Sequence, residues 1–73
     1  MKKSYQTNTE VEWDWGNGTA TGKVRRVFRE EVTRTLDGSE VTRQGSDDDP
    51  AHLLEQDDGS EVLKLHSELR KAS

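Results

Sequence analysis

Glu31-Val32-Thr33-Arg34-Thr35-Leu36-Asp37-Gly38-Ser39-Glu40-Val41-Thr42-Arg43-Gln44-Gly45 is the stretch that decides the fold. Two runs rich in β-prone residues, 32–36 and 39–43, flank an Asp-Gly pair. Asp-Gly accepts the positive φ angles of a two-residue hairpin loop, so the stretch reads as two antiparallel strands. Such a loop sets Thr33 opposite Thr42 and Thr35 opposite Glu40. The recurrence of Val32-Thr33-Arg34 as Val41-Thr42-Arg43 reflects two similar strands and not an internal repeat.

The same logic extends toward the N-terminus. Val11, Trp13 and Trp15 alternate with Glu10, Glu12 and Asp14, a period of two that marks a strand with one buried face. Gly16-Asn17-Gly18-Thr19 follows as a turn. With Asn17-Gly18 as the loop pair, Trp15 faces Ala20 and Trp13 faces Gly22. A glycine opposite a large indole leaves room for the ring to lie across the neighbouring strand. Residues 23–29 continue as a strand carrying Val24, Val27 and Phe28. The adjacency of Val27 and Phe28 breaks the alternation and predicts a bulge or bend there.

Toward the C-terminus, Gly45-Ser46-Asp47-Asp48-Asp49-Pro50 reads as a loop. A further hairpin follows, with strands 52–56 and 61–65 around Asp57-Asp58-Gly59-Ser60. Taking Asp58-Gly59 as its loop pair sets Leu54 opposite Leu63. Ser67-Glu68-Leu69-Arg70 reads as one short helical turn capped by Ser67, with Leu69 plugging an end of the fold. Residues 1–9 show no periodicity and read as a disordered tail, residues 10–70 as one domain, and residues 71–73 as a frayed end. Short strands joined by hairpins close most simply into a small, partly open barrel, which leaves few free edges. The expectation is therefore a mostly-β, SH3/Tudor-like barrel of about five antiparallel strands. Its core is Val11, Trp13, Val24, Val41, Leu54, Leu63, Leu65 and Leu69.

Composition limits what such a barrel does. The chain has 73 residues, enough for one domain of modest stability. It contains no cysteine, which excludes disulfides, thiolate metal ligands and a nucleophilic thiol. No apolar run has the length of a membrane span or a signal-peptide core, so the expectation is a cytoplasmic protein without a membrane partner. Leu, Ile, Val and Phe together fall just below the roughly 20% associated with disorder, but the ordered succession of strands and turns argues for folding. Charge is uneven. Residues 22–45 carry six basic and four acidic residues, and residues 46–61 carry seven acidic and no basic ones. The overall net charge of −4 makes tight nucleic-acid binding a poor default.

The groups able to carry chemistry are few. Gly16, Gly18 and Gly22 nearly spell a dinucleotide fingerprint, but the spacing is one residue too long and a strand follows instead of a helix. Trp13 and Trp15 could wall an aromatic cage for a cation. Their shared parity with Val11 points to packing, and whichever is incompletely buried becomes the best ligand contact. Asp47, Asp48 and Asp49 lack the spacing of a calcium loop and read as a solvated acidic loop, with Asp49 capping a turn. His52 and His66 come near each other at the open end of their hairpin, yet two histidines without a third ligand make no zinc site. Lys23, Arg25, Arg26 and Arg29 form a candidate nucleic-acid face, with Glu30, Glu31 and Glu40 expected to neutralise part of it. No activated nucleophile and no cofactor site are visible.

Three stretches, taken together, resemble a known family. They are Val11-Glu12-Trp13-Asp14-Trp15-Gly16-Asn17-Gly18 with Gly22 and Val24; Glu40-Val41-Thr42-Arg43-Gln44-Gly45-Ser46-Asp47-Asp48-Asp49-Pro50; and Gln56-Asp57-Asp58-Gly59 running to Val62-Leu63-Lys64-Leu65-His66-Ser67-Glu68-Leu69. The pattern resembles the hypervirulence-associated protein Tudor-domain family, earlier classed as a domain of unknown function, over about residues 11–70. The resemblance implies a Tudor-like, SH3-type barrel and carries no catalytic residues or ligand with it. The expected function is a non-enzymatic module that binds a protein or peptide near Trp15 and the acidic loop Asp47, Asp48 and Asp49. Weak nucleic-acid binding through Lys23, Arg25, Arg26 and Arg29 is the alternative.

Overall fold

The computed structural model describes residues 4–36 and 38–72. Among them run β1 (Glu10–Trp15), β2 (Gly18–Phe28), β3 (Glu31–Leu36), β4 (Ser39–Gln44), β5 (Ala51–Glu55) and β6 (Glu61–Leu65), then a 3-10 turn (His66–Glu68) and β7 (Arg70–Lys71). A five-stranded antiparallel sheet has the order β6-β5-β2-β1-β7, and β3-β4 forms a separate two-stranded sheet. The architecture is the mostly-β, small barrel expected from the sequence. It is divided more finely than the five strands anticipated, because β3-β4 stands alone and β7 adds a short edge beside β1.

The hairpins follow the turn chemistry, with two corrections of register. In β3-β4, Thr33 faces Thr42 and Thr35 faces Glu40, as expected, and the two threonine hydroxyls lie 2.9 Å apart. Asp37, half of the expected loop pair, lies outside the described residues. In β1-β2 the loop pair is Gly16-Asn17, not Asn17-Gly18: Trp15 faces Gly18, Trp13 faces Ala20 and Val11 faces Gly22. Gly16 takes φ +55°, which supplies the left-handed residue the turn needs. The indole of Trp13 still uses Gly22, diagonally. A β-carbon on Gly22 would lie 3.2 Å from Trp13 Cη2 and 2.9 Å from the Glu55 carbonyl.

The β5-β6 hairpin sets Leu54 opposite Val62 and Leu53 opposite Leu63, one residue away from the expected register. Gln56 N–H donates to Ser60 O at 2.8 Å and Gly59 N–H to Gln56 O at 2.9 Å, with Gly59 at φ +88°. This is a three-residue loop, a turn followed by a left-handed glycine. One extra loop residue turns each strand neighbour to the other face.

The bulge in β2 lies between Val24 and Arg26, upstream of the expected place at Val27 and Phe28. Phe28 instead serves as a platform for the Arg34 guanidinium, 5.4 Å from the ring centre.

Val11, Trp13, Val24, Leu54 and Leu69 form the core cluster, and Leu63 is buried as well. Val41 and Leu65 are only half-buried, contrary to expectation. Val41 borders a groove of about 330 Å³ where β4 lies alongside β6 without a backbone ladder, and Leu65 is the last residue of β6. Ala51, His52 and Leu53 are buried although the alternation did not mark them. β5 lies between β2 and β6, and consecutive residues on both of its faces are buried, so the period of two disappears.

The described residues near each end are tied down. Residues 4–9, expected as tail, carry bonds from Asn8 N–H to Val24 O at 2.7 Å and from Val24 N–H to Thr9 O at 3.0 Å. The expected fray at the other end is shortened, because Lys71 pairs with Val11 and Ala72 N–H reaches Glu10 O at 3.1 Å. Met1, Lys2, Lys3 and Ser73 lie outside the described residues.

Candidate functional site

Strand direction decides which candidates share a surface. The β1-β2 turn sits at the start of β2. Because β5 runs antiparallel to β2, with Glu55 beside Lys23, the β5-β6 loop projects at that same end. Residues 45–50 lead into Ala51, which pairs with Phe28 at the opposite end of β2. Roughly 30 Å of strand therefore separates Trp15 from the acidic loop. The two halves of the expected partner surface do not come together.

At the first end Trp15 is 68% exposed, while Trp13 is 3% exposed. Their shared parity does not give them a shared environment. β1 ends at Trp15, whose backbone pairs with Gly18 at the turn, and its indole stands out in solvent past the core. Trp13, Trp15, Ala20 and Val62 make the apolar side of a groove of about 460 Å³, with Gln56, Asp58 and Lys64 as its polar side. Asp58 is held in place: its carboxylate accepts from Ser60 N–H at 2.9 Å and from Ser60 Oγ at 2.6 Å. Those bonds hold its pKa below the usual value, so it stays ionised. Behind the groove, Arg70 bridges Glu12 at 2.8 Å and Asp14 at 2.9 Å, fixing β7 to β1. The hydrogen bond from Arg70 likewise depresses Asp14. Gln56, Asp58, Val62 and Lys64 were not singled out from the sequence. Their signal was the common end shared by two hairpin turns, which needs the strand order to be read.

At the second end the acids have internal duties. Asp49 accepts from Ser67 N–H at 2.7 Å and Ser67 Oγ at 2.8 Å, so it caps the 3-10 turn across the fold. Ser67 is thus a donor within that turn and not its cap, and the turn begins one residue earlier, at His66. Asp47 lies 3.8 Å from Arg29 Nε. Asp48 is exposed. Among the described residues no group of three or more His, Cys, Asp or Glu side chains has the geometry to hold a metal ion.

The basic face is neutralised at two of its four cations, by partners other than those expected. Arg25 pairs with Glu55 at 3.4 Å and Arg29 with Asp47, while Arg43 pairs with Glu68 at 3.3 Å. Glu31 binds Gln44 instead of an arginine. Lys23 and Arg26 are exposed and make no ion pair among the described residues.

His52 and His66 do approach each other, with ring centres 5.8 Å apart and Tyr5 against both. With Tyr5 they form a packed aromatic cluster.

No helix among the described residues is long and apolar enough to cross a membrane. No curated protein and no solved structure is significantly similar to the chain. The family model described as hypervirulence associated proteins TUDOR domain matches residues 9–69, nearly the whole barrel. Tudor domains as a class mediate interactions with proteins or nucleic acids, and the barrel, the matched span and the lack of any α-helix among the described residues agree: the chain belongs to the hypervirulence associated proteins TUDOR domain family.

Proposed function

We propose that the protein is a non-enzymatic interaction module that binds a protein or peptide partner at the Trp15 end of the barrel. The observation that supports this is the exposed indole of Trp15 on the rim of a groove walled by Trp13, Ala20 and Val62. A large aromatic left in water at the edge of an apolar recess is the usual anchor of a binding surface. The groove takes one apolar side chain of a partner. Lys64 and the ionised Asp58 flank it and bind main-chain or polar groups of an extended segment.

The groove between β4 and β6 is the competing recess, but no exposed aromatic lines it. The nucleic-acid reading loses two of its four cations, Arg25 and Arg29, to Glu55 and Asp47. The test is selection of a displayed random peptide library on the intact protein, with Trp15→Ala as the counter-target. The proposal expects selected peptides to lose at least about tenfold in affinity for Trp15→Ala. Unchanged affinity for that variant overturns it.

A further inference from the structure

We propose that residues 4–9 are a strap latched shut by the neutral form of His52, and that acid opens it. His52 is fully buried, and both of its ring nitrogens are engaged. Tyr5 N–H donates to Nε2 at 3.1 Å. A backbone amide is always a donor, so Nε2 must be the unprotonated acceptor. Nδ1 lies 3.1 Å from the Pro50 carbonyl, which only accepts, so Nδ1 carries the proton. The geometry therefore fixes one neutral tautomer. A proton added to Nε2 turns an acceptor into a second donor, facing the Tyr5 amide.

Ahead of Asn8 and Thr9, whose backbone bonds to Val24 anchor it, the strap is lightly held. Its side-chain contacts are the Tyr5 ring stacked on His66 at 4.8 Å and edge-on to His52, and a 3.4 Å bond from Arg25 to Asn8. Asn8 sits at φ 75° in a turn closed by Thr9 N–H to Gln6 O at 3.1 Å, a conformation asparagine tolerates better than most residues. The strap can thus pivot at residues 6–7, while Asn8 and Thr9 remain paired to Val24, and lift Tyr5 away. Lifting uncovers His52, His66 and the margin of the core on which Tyr5 packs.

Charged and titratable groups reach His52 from every side. They are Tyr5 from the strap, His66 from the 3-10 turn, Lys64 across the β5-β6 ladder, Arg29 beyond the end of β2, and Asp49 from the loop. Burial, first, and then His66 and Arg29 disfavour the imidazolium, while the bond to Pro50 O and Asp49 favour it; the balance lowers the pKa from 6.5. The shut state thus binds fewer protons than the open one. The latch is at full strength above the ordinary histidine value and weakens as pH falls below it. Each unit between the shut and open values makes opening about tenfold easier in acid.

The test follows the Tyr5 amide and the His52 ring nitrogens by NMR on the intact chain from about pH 8 to 4.5. The expected result is the Nδ1–H tautomer at high pH. On acidification, the Tyr5 amide should move to an unstructured position at the midpoint of His52 protonation, while Trp13 and Leu54 signals keep their folded positions. A Tyr5 amide that stays in place as His52 titrates overturns the proposal. So does its movement only together with Trp13 and Leu54, or the absence of any movement at Tyr5. In His52→Gln the Tyr5 amide should lose its pH dependence, because a carboxamide oxygen accepts throughout. Should that buried substitution not fold, Tyr5→Pro removes the donor and should raise the His52 midpoint toward 6.5. An unmoved midpoint there contradicts the latch.

Discussion

The two ends of β2 carry similar residue types and use them in opposite ways. At the Phe28 end, acids and aromatics are spent within the fold: Asp49 caps the 3-10 turn, and Tyr5, His52 and His66 pack on one another. At the Gly18 end Trp15 stands in solvent with nothing across it but a glycine. An acidic run or an aromatic pair is thus no guide to recognition by itself. What separates the two ends is whether the chain already supplies each side chain with a partner.

The sharpest way to break this contrast is at Gly45, where the chain passes from β4 toward the closed end. A β-carbon there would meet the Phe28 carbonyl and lie 2.8 Å from Ala51 N. Both contacts are backbone and cannot swing aside. Gly45→Ala should cost about 3 kcal/mol in urea denaturation. A loss below about 1 kcal/mol would mean that the closed end is loosely built.

Next in size is Asp49→Ala, which removes both bonds to Ser67 and should cost about 1 kcal/mol. That corresponds to a fall of about 5 °C in Tm for a domain of this size. Its neighbour Asp48, exposed in the same loop, should give no measurable change when replaced by alanine. Equal effects at the two positions would remove the assigned role of Asp49.

At the open end the expectation reverses. Trp15→Ala should leave stability within about 0.5 kcal/mol of the parent, since little of the indole is buried. The smallest effect is optical. Acrylamide should quench one tryptophan population readily and the other poorly, and Trp15→Phe should abolish the readily quenched one. Quenching that is uniform in the parent would contradict the split between Trp13 and Trp15.

The sequence is most informative where local rules act alone. The Asp-Gly hairpin carries its register, since Thr33 and Thr42 meet as the two-residue loop requires. Alternation through Val11 and Trp13 marks the buried face of β1. It fails where loop length is degenerate. Gly16-Asn17-Gly18 supports either of two adjacent loop pairs, and Asp57-Asp58-Gly59 supports a two- or a three-residue loop, so both registers needed coordinates.

Contacts between distant segments were not legible either. Tyr5 meets His52 across 47 positions, and nothing local in either segment points to the other. The candidate groove belongs to the same class. Its aromatic rim was visible as Trp15, but Lys64 and Asp58 join it only through the strand order β6-β5-β2-β1.

Whether partners bind at the Trp15 end is decided by shift mapping of one selected peptide on the intact, isotope-labelled chain. Perturbations should concentrate at Trp13, Trp15, Ala20, Gln56, Val62 and Lys64, with residues 46–49 and 23–29 unmoved. Perturbations centred on residues 46–49, or salt-sensitive shifts along Lys23, Arg25, Arg26 and Arg29 on adding short nucleic acids in place of the peptide, would contradict binding there.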